Sequence, residues 1–218
     1  MSAPRLSEEL LADYGWELSQ TETENALTLP FFSITAHNAI YEHSDSIAAY
    51  DDIADPRVTI GGRAFFTTDL QFKPPLSKFG VDPASVFGIA TRHARKEFKK
   101  SVEADGLTEV RKIDAREFDR PGGGPARAFG YEVKFPLHDD VIEQDVVDGQ
   151  FVLESELWAG LWPTEGAYAM AGGMYPLEEV DDAILRQASG ARLATDVKVH
   201  PDPERDREQV FEAMRLVE

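Results

Sequence analysis

The clearest pattern in the chain is an apolar stripe at helical spacing between residues 83 and 104. Its members recur every three or four positions: Phe87, Ala90, Ala94, Phe98 and Val102. Asp82 and Pro83 are typical of a helix start, an acidic N-cap followed by proline at the first helical position, and Gly106 is placed to end the helix. The pattern therefore predicts one long amphipathic helix over residues 83–104.

Alternation of apolar and polar residues predicts β-strands on both sides of this helix. Six segments show it: residues 31–43, 64–72, 107–119, 126–137, 151–161 and 167–175. The last four form two consecutive pairs, and each pair flanks a short turn that contains glycine and proline. Such pairs are typical of antiparallel hairpins.

The remaining segments are shorter. Helical spacing of apolar residues predicts helices at 5–14, 176–188 and 203–217, and residues 44–56 could hold one helical turn. Residues 16–29 alternate weakly and have a turn-like centre at Glu24–Asn25, which favours a hairpin; residues 192–199 could form an edge strand. We expect an α+β fold over residues 1–218, an antiparallel meander flanked by helices in one domain, with residues 1–75 as a possible N-terminal sheet subregion.

The charge of the chain adds a prediction about its surroundings. Forty acidic residues face 22 basic residues, which gives a formal net charge of −18, and the acids are spread along the whole sequence. A dispersed acidic surface is typical of adaptation to molar salt, where a Debye length of about 3 Å screens self-repulsion. We therefore predict a halophilic protein, with an acidic mesophilic domain as the alternative. Binding to nucleic acid or to anionic membranes is disfavoured.

The chain lacks the residues that several classes of function require. Cysteine is absent, which excludes disulfides, thiol catalysis and thiolate metal sites. No apolar run is long enough to span a membrane, and the N-terminal residues do not resemble a secretory signal, so a cytoplasmic location is expected. His37 and His43 would lie roughly 20 Å apart along a strand, too far to share a metal ion. No nucleophile elbow or catalytic triad is present, and no enzyme activity or cofactor is expected.

The glycines at 122–124 lie between two predicted strands and are bracketed by proline. A phosphate-binding loop needs a helix N-terminus directly after its glycines. The pattern therefore favours a hairpin loop.

Two groups of residues are candidates for binding. The first is a set of five bases on the outer side of the long helix: Arg92, Arg95, Lys96, Lys99 and Lys100. They could form a docking patch for an acidic partner or a phosphate-bearing ligand, or a solvated face that pairs with nearby acids and complements the helix dipole. The second set could share one face of the last hairpin: Trp158, Trp162, Tyr168, Met170 and Met174. They could pack as core or line a pocket or an aromatic surface.

Residues 83–190 have the order helix, four antiparallel strands and helix, and include the segment ESELWAGLWPTEGAYAMAGGMYPLEEVDDAI. This order resembles the PsbP-like fold, which occurs in the photosystem II extrinsic subunit, in a Ran-binding nuclear import factor and in bacterial and archaeal lipoproteins. Some haloarchaeal proteins of unknown function look similar. The resemblance implies an α/β/α sandwich with a non-catalytic binding or scaffold role, and it carries over no functional residues.

The leading hypothesis is a non-enzymatic binding or accessory protein of a halophilic archaeon that docks an acidic protein partner through the basic helix face. One alternative is a small-molecule-binding protein or enzyme with a pocket near Trp158, Trp162 and Tyr168. Another is a structural homodimer that pairs through an edge of its sheet.

Overall fold

The computed structural model describes residues 3–143, 150–194, 197 and 200–217. These residues contain five α-helices: α1 (Glu8–Tyr14), α2 (Ile47–Asp51), α3 (Phe87–Ala104), α4 (Val180–Gln187) and α5 (Pro203–Leu216). They also contain nine β-strands: β1 (Trp16–Leu29), β2 (Phe32–His43), β3 (Ala64–Lys73), β4 (Thr108–Glu117), β5 (Arg127–Pro136), β6 (Ile142–Glu143), β7 (Val152–Thr164), β8 (Ala167–Pro176) and β9 (Arg192–Leu193).

Seven of these strands form one antiparallel sheet with the order β1-β2-β3-β8-β7-β5-β4. The predicted hairpins β4–β5 and β7–β8 are both present, and the glycines at 122–124 lie in the loop of the first, which confirms the hairpin-loop interpretation. Strand β3 pairs with β8 along seven residue pairs, so the strands of residues 1–75 belong to the same sheet as the rest. The α+β fold class predicted from the sequence is confirmed.

The prediction of a hairpin within residues 16–29 is wrong. These residues form one long strand that pairs with β2 from Trp16↔His43 to Leu29↔Phe32, so the turn lies at residues 30–31. Both side-chain faces of β1 are exposed from Glu17 to Ala26. Because an edge strand with two open faces needs no apolar side, its weak alternation reflects exposure and does not mark a turn.

Helix α3 lies on one face of the sheet, as its apolar stripe predicts. The Asp82 side chain accepts a backbone hydrogen bond of 3.1 Å, and a 3-10 turn over Pro83–Val86 leads into the α-helix. The Phe98 ring packs against the Phe129 ring of β5 with centroids 5.7 Å apart. The helix predicted over residues 83–104 is therefore confirmed, with a tighter first turn.

Helix α5 covers part of the opposite face and comes unusually close to the sheet. A Cβ atom built on Gly173 of β8 would lie 2.7 Å from Cγ2 of Val210, and one on Gly160 of β7 would lie 3.0 Å from Sδ of Met214. Glycine in a strand allows such close approach. The N-terminal segment, including α1, packs on this same face, while α2 and α4 pack on the face of α3.

Two smaller predictions need adjustment. The helix predicted over residues 176–188 begins at Val180, because Pro176 is still the last residue of β8. The edge strand predicted over residues 192–199 is present at Arg192–Leu193, paired with β6. Residues 195, 196, 198 and 199 lie outside the described residues.

Candidate functional site

The five predicted bases lie on α3, but they do not have equal access to solvent. Arg92, Lys96 and Lys100 are exposed, whereas Arg95 and Lys99 are half-buried. The Lys100 amine binds Glu97 at 2.8 Å, and the Lys99 amine lies 3.6 Å from Glu103. The ion pairs expected of a solvated face are thus present for two of the five bases.

Lys99 also reaches away from the helix. Its Nζ donates a hydrogen bond of 2.8 Å to the main-chain oxygen of Val110 in β4. This lysine therefore ties the helix to the edge strand of the sheet. We use the name basic helix face for the remaining exposed bases, Arg92, Lys96 and Lys100.

A cleft of about 800 Å³ lies beside this helix, at the end of β4, β5 and β7. Its lining contains four basic residues, Lys99, Arg111, Lys112 and Lys134. It also contains four acidic residues, Glu103, Glu109, Glu132 and Glu154. The basic helix face and this cleft together hold five of the eight lysines in the chain.

The strand register explains the charged floor of the cleft. Arg111 of β4 pairs in register with Glu132 of β5, and Lys134 of β5 pairs with Glu154 of β7. Both couples form ion pairs; the second has a separation of 2.7 Å. The hydrogen bond from Lys134 is the main reason that the pKa of Glu154 lies below its usual range. Because Val133, between Glu132 and Lys134, belongs to the core under α3, these charged side chains point to the α5 face.

A β-bulge shapes the wall of the cleft at Glu109. Pairing with β5 moves from Thr108↔Lys134 directly to Arg111↔Glu132, which leaves the two residues between them out of the ladder. Glu109 has a φ of +48°, the one positive value among the described non-glycine residues. Non-glycine residues adopt this conformation rarely and at a cost of order 1–3 kcal/mol, and such residues are concentrated at functional sites.

The predicted aromatic face is wrong. Trp158 and Trp162 point to the face of α5, whereas Tyr168 points to the face of α3 together with Met170 and Met174. The reason is the hairpin register, because directly paired residues share a face and the two tryptophans pair with Gly173 and Ala169. The three aromatic residues therefore cannot line one pocket.

Each of the three predicted aromatic residues is buried in the core. Trp158 donates from Nε1 to Glu156 at 2.9 Å, and the Tyr168 hydroxyl donates to the main-chain oxygen of Pro83 at 2.8 Å. The guanidinium group of Arg120 stacks over the Trp162 ring, with its Cζ atom 3.6 Å from the ring centroid. These contacts satisfy the polar atoms of the two residues that donate and are typical of structural aromatics.

Sequence analysis missed a carboxylate beneath α5. Glu156 is 7% exposed and accepts hydrogen bonds from Trp158, Tyr175 and Arg207 at 2.5–3.1 Å. Burial alone would raise the pKa of Glu156, but these donors hold it below its usual range. The fully bonded carboxylate attaches α5 to the sheet. Glu156 lies two positions before Trp158 on β7, which places both side chains on one face, and this spacing is the feature of the sequence that could have indicated their contact.

A second buried polar cluster joins the N-terminal strands to α5. Arg63 binds Asp206 at 2.5 Å, and both side chains are more than nine-tenths buried. His43 lies close by, edge-on to Trp16 with ring centroids 5.6 Å apart. Burial, and secondarily the charge of Arg63, lowers the pKa of His43. Among the described residues, His43 Nδ1, Arg63 Nε and Asp206 Oδ2 have no hydrogen-bond partner.

Two further observations concern metal ions and membranes. Among the residues with described positions, no three His, Asp or Glu side chains approach closely enough to hold a metal ion. In the same part of the chain, none of the helices has the length and apolar character needed to cross a membrane.

The fold and the site define an acidic α+β protein with a basic helix face beside a charged cleft. Residues 3–218 match the family model described as Domain of unknown function (DUF6517), and the chain belongs to this family. No curated protein and no solved structure matches the chain.

Proposed function

We propose that this chain is a non-enzymatic binding or accessory protein of the halophilic cytoplasm that docks an acidic protein segment on the basic helix face. The observation that supports the proposal is the local reversal of charge. Between Arg92 and Glu103 the helix carries five bases and two acids, in a chain whose net charge is −18. Arg92 and Lys96 form no ion pair with any described residue, so both remain available to a partner.

The salt concentration determines how the basic helix face can attract a partner. At low ionic strength its field would attract an acidic partner over about 10 Å or more, but at molar salt the Debye length is about 3 Å. Binding in a halophile would then depend on direct contacts between carboxylates and the exposed bases. Each exposed pair contributes about 0.2–1 kcal/mol, so three bases give at most about 3 kcal/mol of preference for an acidic segment.

The two alternative functions, an aromatic pocket and a homodimer, differ in the support they have. The pocket near Trp158, Trp162 and Tyr168 has lost its geometric basis, since these residues face opposite sides of the sheet. The homodimer through a sheet edge stays a prediction. The strands at both edges, β1 and β4, contain register shifts, a feature that discourages pairing with another chain. Light scattering, which measures the molecular mass in solution, distinguishes the monomer from the homodimer.

The docking proposal is tested with a fluorescein-labelled peptide of ten glutamates by fluorescence anisotropy, at molar KCl and at the lowest KCl concentration at which circular dichroism shows that the chain is folded (low salt). The variant Arg92→Gln/Lys96→Gln/Lys100→Gln should weaken binding roughly 10- to 100-fold at low salt. The matched control Arg5→Gln/Lys73→Gln/Lys78→Gln removes three exposed bases elsewhere and should bind nearly as the unmodified chain does. Equal weakening by both triple variants would show that net charge alone matters, and the docking surface would be rejected.

A further inference from the structure

We propose that the acidic segment docked on the basic helix face carries an apolar side chain at one end of its carboxylates, and that this side chain packs on Ile89. The inference rests on the proposed docking function and deepens it, because it specifies the chemistry of the partner. The observation that carries it is an exposed isoleucine beside the bases of α3. Ile89 is 68% exposed, and among the residues of α3, all of them described, it is the one large apolar side chain with such exposure.

Ile89 lies on the outer side of α3, opposite to the stripe that packs on the sheet. At about 100° per residue it is roughly 180° around the helix from Phe98, whose ring packs on β5. By the same count it lies within about 60° of every base of the basic helix face. Along the helix axis it is about 5 Å from Arg92 and about 16 Å from Lys100. Ile89 and these bases therefore form one continuous strip, with the apolar residue at its N-terminal end.

The N-terminal end of the strip is open to a partner. Gly88 has no side chain, and a Cβ atom built on it would meet no atom within 4 Å. Arg92, one turn further along, is exposed and forms no ion pair with any described residue. An approaching segment would therefore reach the isoleucine, the helix surface beside it and a guanidinium group at the same time.

Salt makes the apolar contact more important than the charges. At molar KCl the Debye length is about 3 Å, and three exposed charge pairs amount to roughly 100-fold in affinity at most. Association must also offset the freedom of motion that the partner loses. Burial of an apolar side chain is not screened by salt, because it depends on the removal of surface from water. At high salt the isoleucine would therefore supply affinity that the bases cannot.

The strip fits a protein segment better than a membrane surface. Helices that lie on a membrane bury a broad apolar face beside their bases, whereas the outer side of α3 presents one exposed isoleucine among its described residues. The net charge of −18 also opposes approach to anionic lipid. A short segment with one apolar end followed by carboxylates matches the strip in both size and charge.

The test compares two peptides by fluorescence anisotropy in molar KCl. One has two leucines followed by eight glutamates, the other has two serines followed by eight glutamates, and each carries fluorescein at its C-terminal end. The chain should bind the leucine peptide about 10-fold more tightly than the serine peptide. Equal affinity for the two peptides, or no measurable binding of either, would overturn the inference.

Variants assign the preference to one side chain. Ile89→Ser should remove the preference for leucine and change the affinity for the serine peptide by less than about 2-fold, while Ile89→Leu should keep the preference. Isoleucine and serine have similar helix propensities, so α3 should stay folded, which circular dichroism checks. The matched control Leu185→Ser removes an apolar side chain that is 56% exposed on α4, and it should change neither affinity. A preference that survives Ile89→Ser, or that Leu185→Ser removes equally, would contradict the inference.

The two proposals fail in different ways. Replacement of the three bases by glutamine should weaken binding of both peptides; if it weakens neither, the docking proposal is rejected and this inference with it. If the triple variant weakens both and Ile89→Ser has no effect, the inference about the apolar side chain is overturned alone. Vesicles of phosphatidylglycerol are the last probe. Binding to them that Ile89→Ser abolishes would assign the strip to a membrane and would also overturn the inference.

Discussion

The close approach of α5 to the sheet leads to a quantitative prediction at Gly173. An alanine there would place its Cβ 2.7 Å from Cγ2 of Val210 and 3.0 Å from the main-chain oxygen of Ala64. Both neighbours are held in place, since Val210 is 1% exposed and Ala64 belongs to a paired strand. Either α5 must move outward or the valine must leave its rotamer.

The expected cost follows from these contacts. Overpacking of this kind destabilises a core by about 1–3 kcal/mol, so Gly173→Ala should lower the free energy of unfolding by that amount. Val210→Ala removes two buried methyl groups and should cost roughly 2 kcal/mol, including the cavity. In the double variant the new Cβ occupies part of the space that the valine leaves. The double variant should therefore lose about 1 kcal/mol less than the sum of the single variants. Rescue remains incomplete, because the contact with Ala64 persists.

Urea unfolding at a fixed KCl concentration measures all of these variants. The control pair is Gly160→Ala with Val210→Ala, because the Cβ at position 160 would meet Phe118 and Met214 instead of Val210. That pair should couple less strongly than the first, because the Cβ at position 160 does not fill the space that the valine leaves, although both changes act on α5. If Gly173→Ala and Val210→Ala couple no more strongly than the control pair, the contact between β8 and α5 does not determine the fit of the helix, and the reasoning fails.

Two further predictions concern solution conditions. The pKa of His43 is lowered in the folded protein, so below about pH 6.5 the unfolded chain binds more protons than the folded chain. Stability should therefore decrease as the pH is lowered through this range. The groups that act on His43 are Arg63, Asp45, Asp206 and Arg205. His43→Phe should flatten the pH dependence of the thermal midpoint between about pH 5 and 8, and an unchanged slope would refute the assignment. The net charge of −18 predicts that the midpoint rises with KCl up to molar concentrations; full stability in low salt would reject the halophilic interpretation.

Local signals explain which elements could be predicted from the sequence. Helix α3 has its cap, its proline and its apolar spacing within one continuous segment, and the structure agrees with that prediction. Strand β1 could not be distinguished from a hairpin, because the signal for a strand is a buried face and β1 has none over most of its length. Where burial is absent, the sequence pattern of an edge strand is weak.

The candidate sites show the same limit. The basic helix face depends on one helix, and its bases could be found from spacing alone. The faces of Trp158 and Tyr168 depend on the register across a turn, and a shift of one residue reverses every side chain. The cleft combines β4, β5 and β7, and its cross-strand ion pairs appear only when the sheet order is known.

The extent of α5 gives a physical reason for the position of the cleft. A helix can cover a sheet only where charged side chains beneath it are compensated, because a buried ion without partners costs several kcal/mol. Glu156 meets this requirement with donors from Trp158, Tyr175 and Arg207. Glu154, one step further along the same face of β7, pairs instead with Lys134, and both retain contact with water. The boundary between core and surface on this face therefore lies between Glu156 and Glu154. The cleft begins where compensation by α5 ends, and there the charged side chains compensate one another across the strands.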